Sequence, residues 1–186
     1  MDEKQQRWCL ERHKRVRKIF AFPIWALTHL RYPVKIEKAP DDSQALILFN
    51  HQTALDQFLV GLAFPQPVYY VASEDLFSIG PLARAMEYLV APIPIKKQST
   101  DIRAVKTCLR VAKEGGSIAI APEGNRTYSG RLCYMNPAIG SLAKKLRLRC
   151  CSFASRAATA STPAGATGCA GAPCGPMWRS ASSRRS

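Results

Sequence analysis

The chain has 186 residues, with 27 basic and 13 acidic side chains and a formal net charge of +14 at pH 7. This length is sufficient for one domain with a hydrophobic core, and the positive charge favours an anionic partner: phospholipid, nucleic acid or a phosphorylated substrate. No stretch has the roughly 20 apolar residues that cross a bilayer, and the charged start lacks the apolar core of a signal peptide. We therefore expect neither a membrane-spanning helix nor a signal peptide.

Cysteine usage favours a reducing compartment over a disulfide scaffold. Of the seven cysteines, only Cys9, Cys108 and Cys133 lie before residue 150. The body of the chain is therefore poor in cysteine, which is typical of a cytoplasmic protein. The cytoplasm is therefore the expected compartment.

The N-terminal segment combines positive charge with apolar side chains. Residues 1–18 are strongly basic. Apolar side chains then recur at helical spacing beside Trp25: Val16, Ile19, Phe20, Ile24 and Leu27. This combination predicts a basic amphipathic helix over 1–30 that lies on an anionic phospholipid membrane surface. A solvated arm followed by an ordinary packing helix fits the same pattern equally well.

Strand-like and helix-like segments alternate along the body of the chain. Strands are predicted at 34–37 (an edge strand), 45–49, 68–72, 89–95 and 117–121, and helices after Asp56 and at 82–88, 102–112 and 137–145. Thr100 is the expected N-cap of the helix over 102–112, and Gly115-Gly116 its stop. Alternation of this kind predicts a single α/β domain over 31–149, with a mainly parallel or mixed central sheet flanked by helices.

The composition changes after residue 149. Residues 150–186 contain no Leu, Ile, Val, Tyr, Asp or Glu. Such a segment lacks the apolar side chains of a packed element, so we expect a disordered tail. When the codons compatible with this segment are read in a shifted frame, they permit an ordinary strand-and-loop sequence. We therefore hypothesise a frameshift near Arg149. The nucleotide sequence around that codon tests the hypothesis, and an intact frame with no plausible shifted product would exclude it.

A histidine and an aspartate lie where the predicted strand 45–49 ends and a helix begins. Five positions on one continuous helix rotate the side chain by about 140°, so His51 and Asp56 would not face each other there. They meet only if His51 precedes the helix and Asp56 lies in its first turn. The carboxylate then holds one ring nitrogen and leaves the other free as a base.

Two further clusters follow apolar runs in the same way. Lys96 and Lys97 come after 93–95, and Glu123 and Arg126 flank Gly124 after 117–121. Together with His51, these residues supply a base and several cations. That set suits a reaction in which a hydroxyl of a phosphorylated substrate loses its proton.

Two segments resemble the glycerolipid acyltransferase family, whose best-known bacterial members are the 1-acyl-sn-glycerol-3-phosphate acyltransferases: Asn50-His51-Gln52-Thr53-Ala54-Leu55-Asp56 and Pro122-Glu123-Gly124-Asn125-Arg126. The resemblance runs from about Val34 to Leu148. It departs from the family pattern at the Lys96-Lys97 pair, where the family usually has an arginine, and at Thr53, where serine is common. Lysine does not reproduce the bidentate grip of arginine on phosphate.

The resemblance implies roles for these residues. His51 would be the general base on the glycerol hydroxyl, with Asp56 holding its tautomer. Arg126 and Lys97 would bind the acceptor phosphate, and Glu123 would position Arg126 or an acceptor hydroxyl. The remaining expected substrate-binding residues are Gly124, Asn50 and Thr53.

The implied reaction moves an acyl group from acyl-CoA or acyl-carrier protein to 1-acyl-sn-glycerol 3-phosphate (lysophosphatidic acid), giving phosphatidic acid. Glycerol 3-phosphate or another lysolipid is the alternative acceptor, and an inactive, truncated membrane-binding protein is the alternative of a different class. A nucleic-acid partner is not expected, because no recognised motif and no basic-aromatic strand pair occurs. A serine or cysteine hydrolase is disfavoured, because the chain has no Gly-x-Ser-x-Gly elbow.

Overall fold

The structure, a computed structural model, describes residues 3–31, 34–39, 41–51, 56–74, 89–96, 101–124, 135–154 and 167–173. The predicted helix at 82–88 lies outside these residues. None of the helices in the described ranges combines the length and the apolar character that spanning a bilayer requires.

Four helices and seven strands make up the described fold. The helices are α1 Glu3–Arg31, α2 Asp56–Ala63, α3 Ile102–Lys113 and α4 Ala138–Leu146. The strands are β1 Val34–Ile36, β2 Ala45–Phe49, β3 Val68–Ser73, β4 Ile93–Ile95, β5 Ser117–Ile120, β6 Arg149–Ala154 and β7 Thr167–Pro173. The predicted α/β class with flanking helices is confirmed.

The strands form one sheet in the order β1-β7-β6-β2-β5-β3-β4. The five strands from β6 to β4 are mutually parallel, β7 is antiparallel to β6, and β1 pairs parallel with β7 at the edge. The carboxyl ends of the five parallel strands therefore lie along one edge of the sheet. In α/β proteins this is the edge that carries binding and chemistry.

Each face of the sheet has its own hydrophobic cluster. One face packs α2 through Leu59 and Val60 against side chains of β2, β5 and β6. The other face packs α3 and α4 through Cys108, Val111 and Leu146 against the opposite side of the same strands. The residues of β2 and β5 are almost all buried, as expected for strands covered on both faces.

The ends of α3 follow from local hydrogen bonding. The carboxylate of Asp101 accepts from the backbone amides of Arg103 and Ala104, so Asp101 is the N-cap and the expectation of Thr100 was wrong. Asp101 was the better candidate because its side-chain oxygen directly precedes the first helical residue. The predicted stop is confirmed, since the helix ends at Lys113 and Gly115 follows with φ +89°.

The expectation of a disordered tail from residue 150 onward is wrong for β6 and β7. β6 pairs along its length with β2 in the middle of the sheet, from Ala45 opposite Arg149 to Phe49 opposite Phe153. Its side chains alternate, and Cys151 and Phe153 are buried. Cysteine and phenylalanine at alternate positions supply the apolar side of a strand without Leu, Ile or Val.

An ion pair fixes the start of β6. The guanidinium of Arg149 donates two hydrogen bonds to the carboxylate of Asp41, at 2.6 and 2.8 Å. Asp41 lies just before β2, so this bidentate contact sets β6 beside β2. β6 therefore covers an edge of β2 that would otherwise be exposed. Residues 155–166 and 174–186 lie outside the described ranges, and the frameshift hypothesis stays a prediction.

Helix α1 is attached to the domain through polar side chains. The ring of His13 stacks on Tyr69, with 4.9 Å between ring centroids. Burial lowers the pKa of His13 to about 4, so the ring docks in its neutral form. One turn later, Nη1 of Arg17 donates to the backbone carbonyls of Phe64 and Gln66. These contacts place α1 against the loop between α2 and β3, at the amino edge of the sheet.

The second half of α1 is apolar on its exposed side. Six large apolar side chains are exposed by 42–89%: Ile19, Phe20, Phe22, Trp25, Leu27 and Leu30. Residues 19–30 contain no Lys, Arg, Asp or Glu, whereas the basic residues precede them. The basic residues thus lie in the first half of the helix and the exposed apolar residues in the second half, more than on opposite faces of one helix segment. The predicted helix is confirmed, and three members of its apolar stripe (Ile19, Phe20 and Leu27) face outward.

We predict that Phe153→Ala lowers the free energy of unfolding by about 3–5 kcal/mol, because it opens a cavity between β6 and α2. Ser152→Ala is the matched control, since Ser152 is the intervening residue of the same strand, and its effect should stay below about 1 kcal/mol. Urea unfolding followed by circular dichroism measures both. Equal stabilities for the two variants would show that β6 does not belong to the folded sheet.

Candidate active site

The junction between β2 and α2 brings His51 and Asp56 together. Asn50 and His51 follow β2 directly, and Asp56 is the first residue of α2. Nδ1 of His51 lies 3.2 Å from Oδ2 of Asp56. The sequence-based condition, with the histidine before the helix and the aspartate in its first turn, is therefore met.

Burial differs sharply between the two side chains. The Asp56 side chain is 1% exposed, whereas that of His51 is 21% exposed. A carboxylate can only accept a hydrogen bond, so in the neutral ring Nδ1 carries the proton and Nε2 keeps its lone pair. The geometry therefore gives a partly accessible base backed by a shielded carboxylate.

The elements around the pair hold it in place. The ring of His51 packs against the edge of Phe49, the last residue of β2, with 6.1 Å between centroids. The hydroxyl of Tyr70 in β3 donates to the backbone carbonyl of Gln57 at 2.6 Å, which anchors the first turn of α2. Sequence reasoning did not assign Phe49 or Tyr70 to the site, and their only signal was membership of the buried strands.

A tight turn holds Glu123 at the end of the neighbouring strand. The amide of Gly124 donates to the carbonyl of Ala121 at 3.1 Å, and Gly124 has φ +68°. Pro122 occupies the second position of this turn, where its fixed φ is favoured. Glycine is required at 124 because side-chain-bearing residues rarely adopt this backbone conformation.

Glu123 lies at the same level of the sheet as His51. In the parallel pairing of β2 with β5, Leu48 is opposite Ile120, and His51 and Glu123 each follow this pair by three residues. Both carboxylate oxygens of Glu123 are shielded from solvent and, within the described ranges, have no hydrogen-bond partner. Burial of a carboxylate that lacks donors costs free energy, so this side chain needs a partner from outside the described ranges or from a substrate.

The third expected cluster lies farther along the same edge. Lys96 follows β4, which is separated from β2 by β5 and β3. Three interstrand steps correspond to about 14 Å across the sheet. Lys97, Arg126 and Thr53 lie outside the described residues. The part of the chain that the structure covers contains no group of three or more His, Cys, Asp or Glu side chains arranged to hold a metal ion.

Comparison with known proteins identifies the family. Residues 32–161 match the family model described as Acyltransferase. The chain belongs to the acyltransferase family. The match extends beyond residue 149 and so includes β6.

Two curated proteins and one solved structure are similar to this chain. A chloroplastic 1-acyl-sn-glycerol-3-phosphate acyltransferase of Brassica napus is 27% identical over 131 residues, covering 66% of this chain and 37% of the relative. A 1-acyl-sn-glycerol-3-phosphate acyltransferase of Bacillus subtilis is 27% identical over 114 residues, covering 59% of this chain and 57% of the relative. The solved structure of a 1-acyl-sn-glycerophosphate (LPA) acyltransferase from Thermotoga maritima has a TM-score of 0.54 at 18% identity, covering 82% of this chain and 60% of that one.

These relatives support the fold and the family. The acyltransferase from Thermotoga maritima shares the α/β architecture with this chain. The matched region spans from about one third to somewhat more than half of the length of the curated relatives. The acyltransferase resemblance drawn from the His51 and Glu123 segments is thereby confirmed at the level of the family.

We predict that Glu123→Gln raises the free energy of unfolding by about 1–3 kcal/mol, because the neutral amide loses less hydration on burial than an unpaired carboxylate. Glu37→Gln is the matched control, since Glu37 is exposed beside β1, and it should change stability by less than about 0.5 kcal/mol. Equilibrium urea unfolding near pH 7 measures both. A loss of stability in Glu123→Gln would show that the carboxylate has a structural partner.

Proposed function

We propose that this chain is an O-acyltransferase that moves a fatty acyl group from acyl-CoA or acyl-carrier protein to the free hydroxyl of 1-acyl-sn-glycerol 3-phosphate, giving phosphatidic acid. One observation carries the proposal: a partly accessible histidine lies 3.2 Å from a buried aspartate at the carboxyl edge of the sheet. Membership of the acyltransferase family and the names of the relatives support the reaction class.

The chemistry follows from the two atoms of the pair. Nε2 of His51 takes the proton of the acceptor hydroxyl as its oxygen attacks the thioester carbonyl. The carboxylate of Asp56 stabilises the imidazolium that forms. Collapse of the tetrahedral intermediate breaks the carbon–sulfur bond, and the imidazolium returns the proton to the departing thiolate. The ester forms directly, so the reaction needs no acyl-enzyme and no cofactor.

The acceptor phosphate requires cations near this pair. Arg126 and Lys97 are the proposed phosphate ligands, with Glu123 positioning Arg126 or an acceptor hydroxyl. The described part of the site supports this arrangement through Glu123, which follows the strand next to that of His51. Asn50, Thr53 and Gly124 complete the proposed acceptor site.

Membrane association is the second part of the proposal. The exposed apolar half of α1 supports insertion into one leaflet of an anionic membrane, with the preceding basic residues at the headgroups. A peripheral position on the cytoplasmic face would place the enzyme on the membrane that holds its lipid acceptor. Attraction to anionic lipid accounts for the positive net charge of the chain, so a nucleic-acid partner is not needed to explain it.

We predict that His51→Ala lowers kcat/KM by about 10²–10⁴-fold, because the variant lacks the general base. Asp56→Asn should lower kcat/KM by about 10²-fold or more, since the amide does not stabilise the imidazolium. Asp42→Asn, at an exposed aspartate before β2, is the matched control and should retain full activity. Thiol release from acyl-CoA with lysophosphatidic acid measures the rates.

The same assay separates the alternatives. Glycerol 3-phosphate or a non-phosphorylated lysolipid in place of lysophosphatidic acid identifies another acceptor if its kcat/KM is higher. Near-normal turnover by His51→Ala would refute the site. If the unaltered chain turned over none of these acceptors, the result would favour the alternative of an inactive membrane-binding protein.

A further inference from the structure

A groove lies beside α1 at the amino edge of the sheet, away from the active site. Its walls are the second half of α1, the segment after β1 and the end of α2, and its volume is about 420 Å³. Helix α2 begins at Asp56 beside His51 and ends at Ala63, which lines the groove. The full length of α2, about 12 Å at 1.5 Å per residue, therefore separates the groove from the active site.

The groove carries positive charge without acidic neighbours. Arg17 and Lys38 line it, and no Asp or Glu is among the described residues that do so. The hydrogen bonds of Arg17 run from Nη1 to two neutral backbone carbonyls, those of Phe64 and Gln66. Burial lowers the pKa of Arg17. The guanidinium is thus partly removed from water with no carboxylate to balance it in the described ranges, which favours an anion.

One wall of the groove is a preformed row of rings. The centroids of Phe22 and Trp25 are 6.0 Å apart, and those of Trp25 and His29 are 4.5 Å apart. Nδ1 of His29 donates to the carbonyl of Trp25 at 2.9 Å, which fixes the imidazole against the indole. Together with Leu62 and Pro65, which also line the groove, the rings form an apolar surface next to the cations.

The groove is continuous with the outward-facing apolar part of α1. Phe22 and Trp25 line the groove and are also 71% and 46% exposed. A ligand that combines an apolar chain with a negative charge fits both surfaces at once. A soluble inorganic anion would contact the cations alone and leave the ring wall uncovered.

We propose that this groove binds one anionic phospholipid molecule, with its phosphate between Arg17 and Lys38 and an acyl chain against Phe22 and Trp25. This lipid is neither acyl donor nor acceptor, because the groove and His51 lie at opposite ends of α2. The bound lipid would link the membrane to the amino edge of the sheet. The proposal does not depend on catalytic activity.

The fluorescence of Trp25 tests the proposal in the full-length chain. The chain has three tryptophans, so Trp8→Phe and Trp178→Phe leave Trp25 as the single reporter. Short-chain phosphatidylglycerol, a monomeric anionic phospholipid that takes no part in the proposed reaction, should change the emission saturably. Short-chain phosphatidylcholine should bind more weakly, and inorganic phosphate alone should give no saturable change.

A charge-matched pair of variants locates the binding. Lys38→Gln should weaken phosphatidylglycerol binding about five-fold, because one lysine near a lipid surface contributes on that scale. Lys144→Gln removes an exposed lysine of α4 and should leave the affinity unchanged. His51→Ala should also leave it unchanged, which separates this site from the proposed catalysis.

Three results would overturn the proposal: no saturable response of Trp25, equal affinities for phosphatidylglycerol and phosphatidylcholine, or equal losses in Lys38→Gln and Lys144→Gln. Saturation by inorganic phosphate with the same Lys38 dependence would also contradict it, since it would assign the site to a free anion.

Discussion

The contact between His51 and the buried carboxylate of Asp56 is the constraint around which the carboxyl edge of the sheet is arranged. It requires β2 to end two residues before the histidine and α2 to begin at the aspartate, so that both side chains point into one junction. The carboxylate is shielded and accepts from Nδ1 of the ring. Phe49 and the anchored first turn of α2 hold the two partners in that arrangement. The parallel pairing of β2 with β5 then brings Glu123 to the neighbouring position, because both chains leave the sheet at the same level.

The two edges of the sheet carry different chemistry. The carboxyl edge presents a base, a shielded carboxylate and Lys96 at the ends of different strands. The amino edge is bordered by α1, which docks through His13 and Arg17 and turns apolar side chains outward. The large exposed apolar side chains of α1 therefore lie at the opposite edge of the sheet from His51. This arrangement keeps the proposed lipid-binding groove apart from the His51–Asp56 pair.

Most of the parallel sheet and the central pair were predictable from the sequence, because buried strands and helix junctions leave local signals. His51 and Asp56 were found by their place between an apolar run and a helix, and Glu123 by its place after another run. β6 was missed because the prediction relied on the absence of Leu, Ile and Val, whereas Cys151 and Phe153 supply the buried side chains and Arg149 pairs with Asp41. The groove as a whole has no contiguous sequence signal, since Arg17 and the rings come from α1, Lys38 comes from the segment after β1, and the end of α2 adds apolar side chains.

The protonation of His51 tests the central claim most directly. The chain has three histidines, so 15N-labelled imidazoles are assignable by comparison with His51→Ala. In neutral His51, the nitrogen chemical shifts should show the proton on Nδ1 and a free lone pair on Nε2, and Asp56→Asn should shift the tautomer population toward Nε2–H. A neutral His51 that carries its proton on Nε2 in the unaltered chain would contradict the account, because no base would then face the acceptor hydroxyl.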